Sequence, residues 1–277
     1  VEQPDFLVVG HVAKDLNPEG WLLGGTAAYS ALTARNLGRR AAVVTSAGPD
    51  LALDPLLHGI ELVCLPSPVT TTFVNEHEAE GRRQYVQPIA HRIETGSIPA
   101  EWTQVPIVHL GPIADEFDEE MIDLFPESLL GLTPQGWLRQ WDSHGRVFPR
   151  RWIGAQAFLQ RVDALFVSDE DLVGEASALR GQLGLPRLAV VTEGALGATL
   201  HLQGRAARFP APATEALDPT GAGDVFAAAF LVRFEETENP EEAMRFANAA
   251  ASLSTKTAGI TSVPHRGQIE ALMKNTS

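Results

Sequence analysis

The sequence predicts an α/β fold built on a mainly parallel sheet covered on both faces, and three observations carry that expectation. Almost wholly apolar runs recur at 6–9, 41–45, 62–65, 107–110, 164–167 and 188–192. A strand without polar alternation is buried on both sides, as strands inside a parallel sheet are. Helical patterns separate these runs, which is what parallel crossovers require. The chain has 277 residues, 44% hydrophobic and 20% charged, so it can fill a large core.

Taken in order, Phe6-Leu7-Val8-Val9 is a strand ending at Gly10, and 26–37 is an Ala- and Leu-rich helix stopped by Gly38. Two stretches break the rhythm. Residues 16–23 are polar, with Pro18 and Gly20 marking a turn. Residues 70–87 read as a hairpin turning around Glu80-Gly81, which suggests a small sheet standing off the main one and able to cover a site. Cys64, the single cysteine, lies in an apolar run and is expected to be a buried small hydrophobe. The stretch 132–152, with Trp137, Trp141 and Trp152, is expected to be a loop and a short helix. Near the end, Asn239-Pro240-Glu241-Glu242 starts a helix, with a side-chain cap, proline at the first position and acids in the first turn.

The formal charge is −14. Such a field repels nucleic acid and anionic lipid, so neither is an expected partner. No leader pattern and no run of about 18 apolar residues is evident, and a cytoplasmic location is expected. The histidines form no His-x-His or His-x-x-x-His pair, which argues against a structural zinc site.

Chemistry concentrates in Asp218-Pro219-Thr220-Gly221-Ala222-Gly223-Asp224, followed at once by a helix with Phe226, Phe230 and Phe234 on one stripe. A small-residue loop feeding a helix N-terminus offers free N–H groups and about half a positive charge, an anion site that needs no lysine. Asp224 would oppose a bound phosphate unless it had a second purpose. Accepting the proton of an attacking hydroxyl is one such purpose; capping the helix is the other. A Rossmann dinucleotide site fits poorly, because its glycine loop should follow the first strand, which here leads into Gly10-His11-Val12.

The segment 218–224 and the small-residue helix after it resemble the C-terminal signature of the ribokinase-like (PfkB) carbohydrate kinases. The resemblance implies a single domain over 1–277: a three-layer α/β/α sandwich with a mainly parallel central sheet and a small β-sheet lid from about 11–24 and 69–92. It implies Asp224 as general base, with Gly221, Ala222 and Gly223 as the anion hole. Asp15 in Gly10-His11-Val12-Ala13-Lys14-Asp15 matches the family's substrate-binding Asp, and Gly24-Gly25 match its paired glycines. Tyr29 stands where the family usually has a substrate-contacting Asn, so the sugar cannot be carried over. Thr192, Gly194, Gly197, Asn248 and Gly259 fall at nucleotide-side positions. In place of Asn-x-x-Glu stands Ser168-Asp169-Glu170-Asp171, where Asp171 would organise Mg²⁺ through water. Asp218, Thr220 and Ser262 would hold a monovalent cation such as K⁺.

The implied activity is transfer of the γ-phosphate of ATP to a hydroxyl of a small sugar or sugar-like polyol. A nucleoside kinase of the same fold and a non-catalytic ligand-binding relative are the alternatives. A homodimer through lid strands is a further expectation.

Overall fold

Side chains at alternate positions along β1 (Phe6–Val9) enter two different cores, which places this strand inside a sheet covered on both faces. The structure, a computed structural model, describes residues 3–78 and 81–276. The remaining strands are β2 (Ala13–Asn17), β3 (Gly20–Gly24), β4 (Ala41–Ala47), β5 (Glu61–Pro66), β6 (Thr72–Glu78), β7 (Gly81–Val86) and β8 (Ile107–Leu110). They continue with β9 (Leu129–Leu132), β10 (Arg139–Trp141), β11 (Val147–Pro149), β12 (Ala164–Ser168), β13 (Leu188–Thr192), β14 (Ala198–Leu202) and β15 (Arg205–Phe209). The helices are α1 (Thr26–Asn36), α2 (Ala155–Leu159), α3 (Ala222–Thr237), α4 (Pro240–Ser254) and α5 (Arg266–Thr276).

The main sheet runs β15-β14-β13-β12-β9-β8-β1-β4-β5. From β13 to β5 every pairing is parallel, and β14 and β15 add an antiparallel edge. This is the expected mainly parallel α/β sheet. On one face Phe6, Val8, Val43, Ile107, Phe166 and Val190 pack under α1, α3 and α4. The phenylalanine stripe of α3 faces that core: Phe230 meets Phe166 edge-on at 5.4 Å and lies 6.4 Å from Phe226.

The opposite face differs from a regular helical layer. It is covered chiefly by 3-10 segments (Ala100–Gln104, Glu119–Leu124, Gly174–Gln182) and the five-residue α2. Gly96, Pro99 and Pro106 in one crossover, and Gly174, Gly181, Gly184 and Pro186 in another, interrupt helical propagation there.

A second sheet, ordered β3-β2-β6-β7, uses the residues expected to stand off the main one. Its β6–β7 hairpin matches the expected 70–87 element, although Glu80 of the expected turn lies outside the described residues. Two expectations need correction. Cys64 is exposed, because β5 is the edge strand of the main sheet and Cys64 lies outside the cores that Leu62, Val63 and Leu65 pack against. The stretch 132–152 contains the antiparallel pair β10–β11, not only a loop and short helix. At α4 the expected cap is present: the Asn239 side chain accepts from the backbone N–H groups of Glu241 and Glu242, both at 3.1 Å.

Candidate active site

Strands β1, β8, β9, β12 and β13 are parallel, so their C-terminal ends open on one side, where ligands gather in open α/β sheets. The loops beyond them, with the second sheet and the start of α3, wall a cleft of about 570 Å³. Glu116 couples two of these loops. Its buried carboxylate accepts from the N–H of His11 after β1 and from those of Ile113 and Ala114 after β8.

Asp224 sits in the first turn of α3 and faces the cleft. Thr26, at the start of α1, donates its hydroxyl to Asp224 Oδ1 at 2.7 Å, and Ser30 donates to the Asp224 carbonyl at 3.3 Å. Burial pushes the Asp224 carboxyl up to about 6. The charges of Asp171 and Asp15 push the same way, while the Thr26 hydroxyl and Arg139 oppose them. A carboxylate poised just below neutrality is suited to accept a proton at physiological pH. Thr26→Val keeps the shape and removes the opposing hydrogen bond. The acid limb of the pH–rate profile for kcat/KM should therefore move up from about 6.

The helix starts this way because Gly221 adopts φ +76, a left-handed conformation that glycine accepts freely. A Cβ there would lie 2.5 Å from the ring atoms of Tyr29. Thr220 N–H donates to Asp218 Oδ1 at 2.9 Å, and Ala222 N–H is already bonded to the Pro219 carbonyl at 3.1 Å. The next amides, of Gly223 and Asp224, have no acceptor within the helix and form its positive end.

Tyr29 is 1% exposed and its hydroxyl has no hydrogen-bond partner among the described residues. Burial first, then the carboxylates of Asp15, Asp218 and Asp224, hold the phenol well above its usual range, so it stays a neutral O–H donor. Asp15 projects from β2 into the same cleft, and Gly24 is what makes room for it: a Cβ there would meet Asp15 Oδ2 at 2.0 Å. Behind this group, the buried His109 bridges the hydroxyls of Ser30 (2.9 Å) and Thr133 (2.8 Å). Burial lowers the His109 pKa to about 3, so the bridge is uncharged.

The other end of the cleft is narrower in chemistry. Thr192, Gly194 and Gly197 meet small apolar residues, among them Ala195, Ala211, Ala213 and Ala251. Gly197 has a packing reason as well, since a Cβ would lie 2.1 Å from the Phe209 carbonyl oxygen. Asn248 borders the cleft, but its buried amide donates to that carbonyl at 3.0 Å and ties α4 to β15.

The structure thus brings Asp15, Gly25, Tyr29, Asp171, Thr192, Gly194, Gly197, Thr220, Gly221, Ala222, Gly223, Asp224 and Asn248 to one cleft. Gly24, Asp218, Gly259 and Ser262 do not wall it. Gly259 lies beside Leu22 of β3, and the Ser262 hydroxyl donates to the Gly259 carbonyl at 2.7 Å. Asp171 is ion-paired with Arg139 at 2.7 Å and receives Gln135 Nε2 at 3.3 Å. No cluster of three or more His, Cys, Asp or Glu among the described residues can hold a metal ion.

Sequence reasoning missed Thr26, Arg139 and the second-sheet residues Asn75 and Gln84. Thr26 had a signal, its place directly after Gly24-Gly25; Arg139 had none, lying in a Trp-rich stretch without a motif.

Against known proteins, the profile described as pfkB family carbohydrate kinase matches residues 154–266. A cytidine kinase of Thermococcus kodakarensis is 26% identical over 87% of this chain and 92% of its own length. The ribokinase of Arabidopsis thaliana is 36% identical over 42% of this chain, a match spanning 31% of that enzyme. Among solved structures, a pyrophosphate-dependent kinase in the ribokinase family, complexed with a pyrophosphate analog and myo-inositol, superposes with a TM-score of 0.81 at 23% identity, covering 96% of this chain and 99% of that one. Arabidopsis thaliana ribokinase complexed with ribose and ATP gives 0.76 at 22% identity and covers 99% of both chains. The parallel sheet, the small second sheet and the glycine-started helix α3 together make the ribokinase-like fold, and residues 154–266 match the pfkB family of carbohydrate kinases.

Proposed function

We propose that the protein is an ATP-dependent kinase that phosphorylates a hydroxyl of a small, uncharged sugar or sugar-like polyol, with Asp224 as general base. The observation that carries this reading is the Asp224 carboxylate, oriented by Thr26 beside the open amide end of α3. The acceptor oxygen bonds to the γ-phosphorus, the bond to the bridging oxygen of ADP breaks with its electron pair on ADP, and the acceptor proton passes to Asp224. Asp15 and Tyr29 address the acceptor. Amides of the 221–223 loop take the charge developing on the phosphoryl oxygens.

The apolar slot around Ala195, Ala211 and Ala251 suits the flat base of a nucleotide donor, with Thr192, Gly194 and Gly197 alongside. Mg²⁺, bound to the donor phosphates, would neutralise their charge. Because Asp171 is already ion-paired, this chain would hold such an ion through few groups of its own, Asp171 through water among them. Asp218, Thr220 and Ser262 are the residues assigned to a monovalent cation.

Asp15, Asp171 and Asp224 make the acceptor end acidic, which disfavours an acceptor that already carries phosphate. A nucleoside acceptor is the second reading, favoured by the near-full-length similarity to a cytidine kinase and by Tyr29 and Phe73 on the acceptor side. Half-exposed Trp21 and Leu16 on the second sheet support pairing of two copies through those strands. Measuring ADP formation from ATP over a panel of sugars, cyclitols and nucleosides tests the assignment. Turnover confined to polyols supports the first reading, turnover confined to nucleosides the second, and ligand binding with no ADP formed would leave only a binding protein.

A further inference from the structure

Arg139 is the only Lys or Arg that walls the cleft among the described residues. It shares the cleft with Asp15, Glu170, Asp171 and Asp224, in a chain whose formal charge is −14. A donor phosphate entering that field needs more compensation than the partial charge of one helix end provides. The guanidinium is held from two sides. One terminal nitrogen donates to Asp171 Oδ1 beyond β12 at 2.7 Å, the other to Gln84 Oε1 on β7 at 2.9 Å. Gln84 in turn donates to Asn75 Oδ1 on β6 at 2.9 Å. These bonds use two of the five N–H groups of a guanidinium, leaving three for a ligand. The side chain is 16% exposed, so it is fixed before any ligand arrives.

We propose that Arg139 is a catalytic residue whose guanidinium contacts the phosphoryl group in flight and carries part of its negative charge, with Asp171 and Gln84 positioning it beforehand. This rests on the kinase reading given above. Arg139 keeps its protons throughout; it donates hydrogen bonds to non-bridging oxygens while the proton of the acceptor goes to Asp224. The charges acting on Asp224 come from separate elements: Asp15 on β2, Asp171 after β12 and Arg139 on β10, with the Thr26 hydroxyl on α1. Arg139 lowers the proton affinity of Asp224 and Asp171 raises it, so the two halves of one ion pair have opposite signatures.

Steady-state kinetics of Arg139→Met, Arg139→Lys and Asp171→Asn, with ATP and the acceptor found in the panel, test the proposal. Arg139→Met should lower kcat by about 10²-fold or more, with acceptor KM within about threefold, and Arg139→Lys should recover part of the loss. The acid limb should move to higher pH in Arg139→Met and to lower pH in Asp171→Asn. Retained kcat with a raised acceptor KM would overturn the proposal, because Arg139 would then read the acceptor. Equal losses in Arg139→Met and Asp171→Asn with an unmoved acid limb would also overturn it, reducing the pair to a strut. If Arg139→Met fails to fold, the kcat of Arg139→Lys and the acid limb of Asp171→Asn still decide the matter. Absence of ADP formation by the parent protein over the whole panel would instead remove the kinase reading itself, a separate failure.

Discussion

Asp224→Asn should lose turnover by about 10²–10⁴-fold, and at pH 7.5 it should be more stable than the parent protein. The two effects have one origin. Asp224 titrates near 6, pushed up chiefly by burial, so at neutral pH the fold holds a charge that the unfolded chain would hold more easily. A carboxyl whose pKa is raised on folding contributes stability that is complete below about 4 and is lost as pH rises through about 6. At pH 7.5 the neutral amide avoids that penalty, a gain on the order of 1–3 kcal/mol. The Thr26 hydroxyl can donate to the Asn oxygen as it does to Asp224, so the local geometry is preserved. Parallel measurements of kcat and of denaturant midpoint at pH 7.5 and 4 check both halves. In the parent protein, kcat/KM should rise with pH through about 6 and then level off, the sign expected of a base that works deprotonated. A variant that turned over normally would end the assignment of Asp224, while a large loss of stability at pH 7.5 would show the carboxylate to be structural.

Gly221→Ala should destabilise the protein by about 2–4 kcal/mol and weaken ATP binding. Alanine at φ +76 carries left-handed strain, and its Cβ would lie 2.5 Å from Tyr29 ring atoms. That ring is 1% exposed and cannot retreat. The conflict must be relieved by moving the loop that starts α3, and with it the amides proposed to bind the donor. Urea unfolding and ATP titration measure the two effects. Combining the change with Tyr29→Ala removes the collision but not the strain, so the stability cycle should be non-additive by about 1–3 kcal/mol. Additive losses would mean that the ring does not limit the loop.

How far the sequence could be read depended on how many residues repeated the same message. Strands β1, β8 and β13 coincide with their apolar runs, because each is an inner strand with both faces covered. The start of α4 was legible from the cap, proline and acids together. Cys64 was misread because an apolar run cannot distinguish an inner strand from an edge, and β5 proved to be the edge. Strands β10 and β11 have three residues each, too few for periodicity to declare itself. At the site, 218–224 could be picked out because one loop holds both the helix start and a carboxylate that faces the cleft. Thr26 and Arg139 meet Asp224 and Asp171 only through tertiary structure, 198 and 32 residues apart in sequence, and no local pattern encodes such a meeting.

The uneven covering of the main sheet has a dynamic consequence. On the side of α1, α3 and α4, amides lie in continuous helical ladders, whereas the opposite side relies on short 3-10 turns that can open one at a time. Deuterium uptake should therefore be fast over 95–104, 119–124 and 174–182 and slow through α3 and α4. Asp224 is mounted on the slow-exchanging half, so breathing of the far layer can proceed without disturbing its aim.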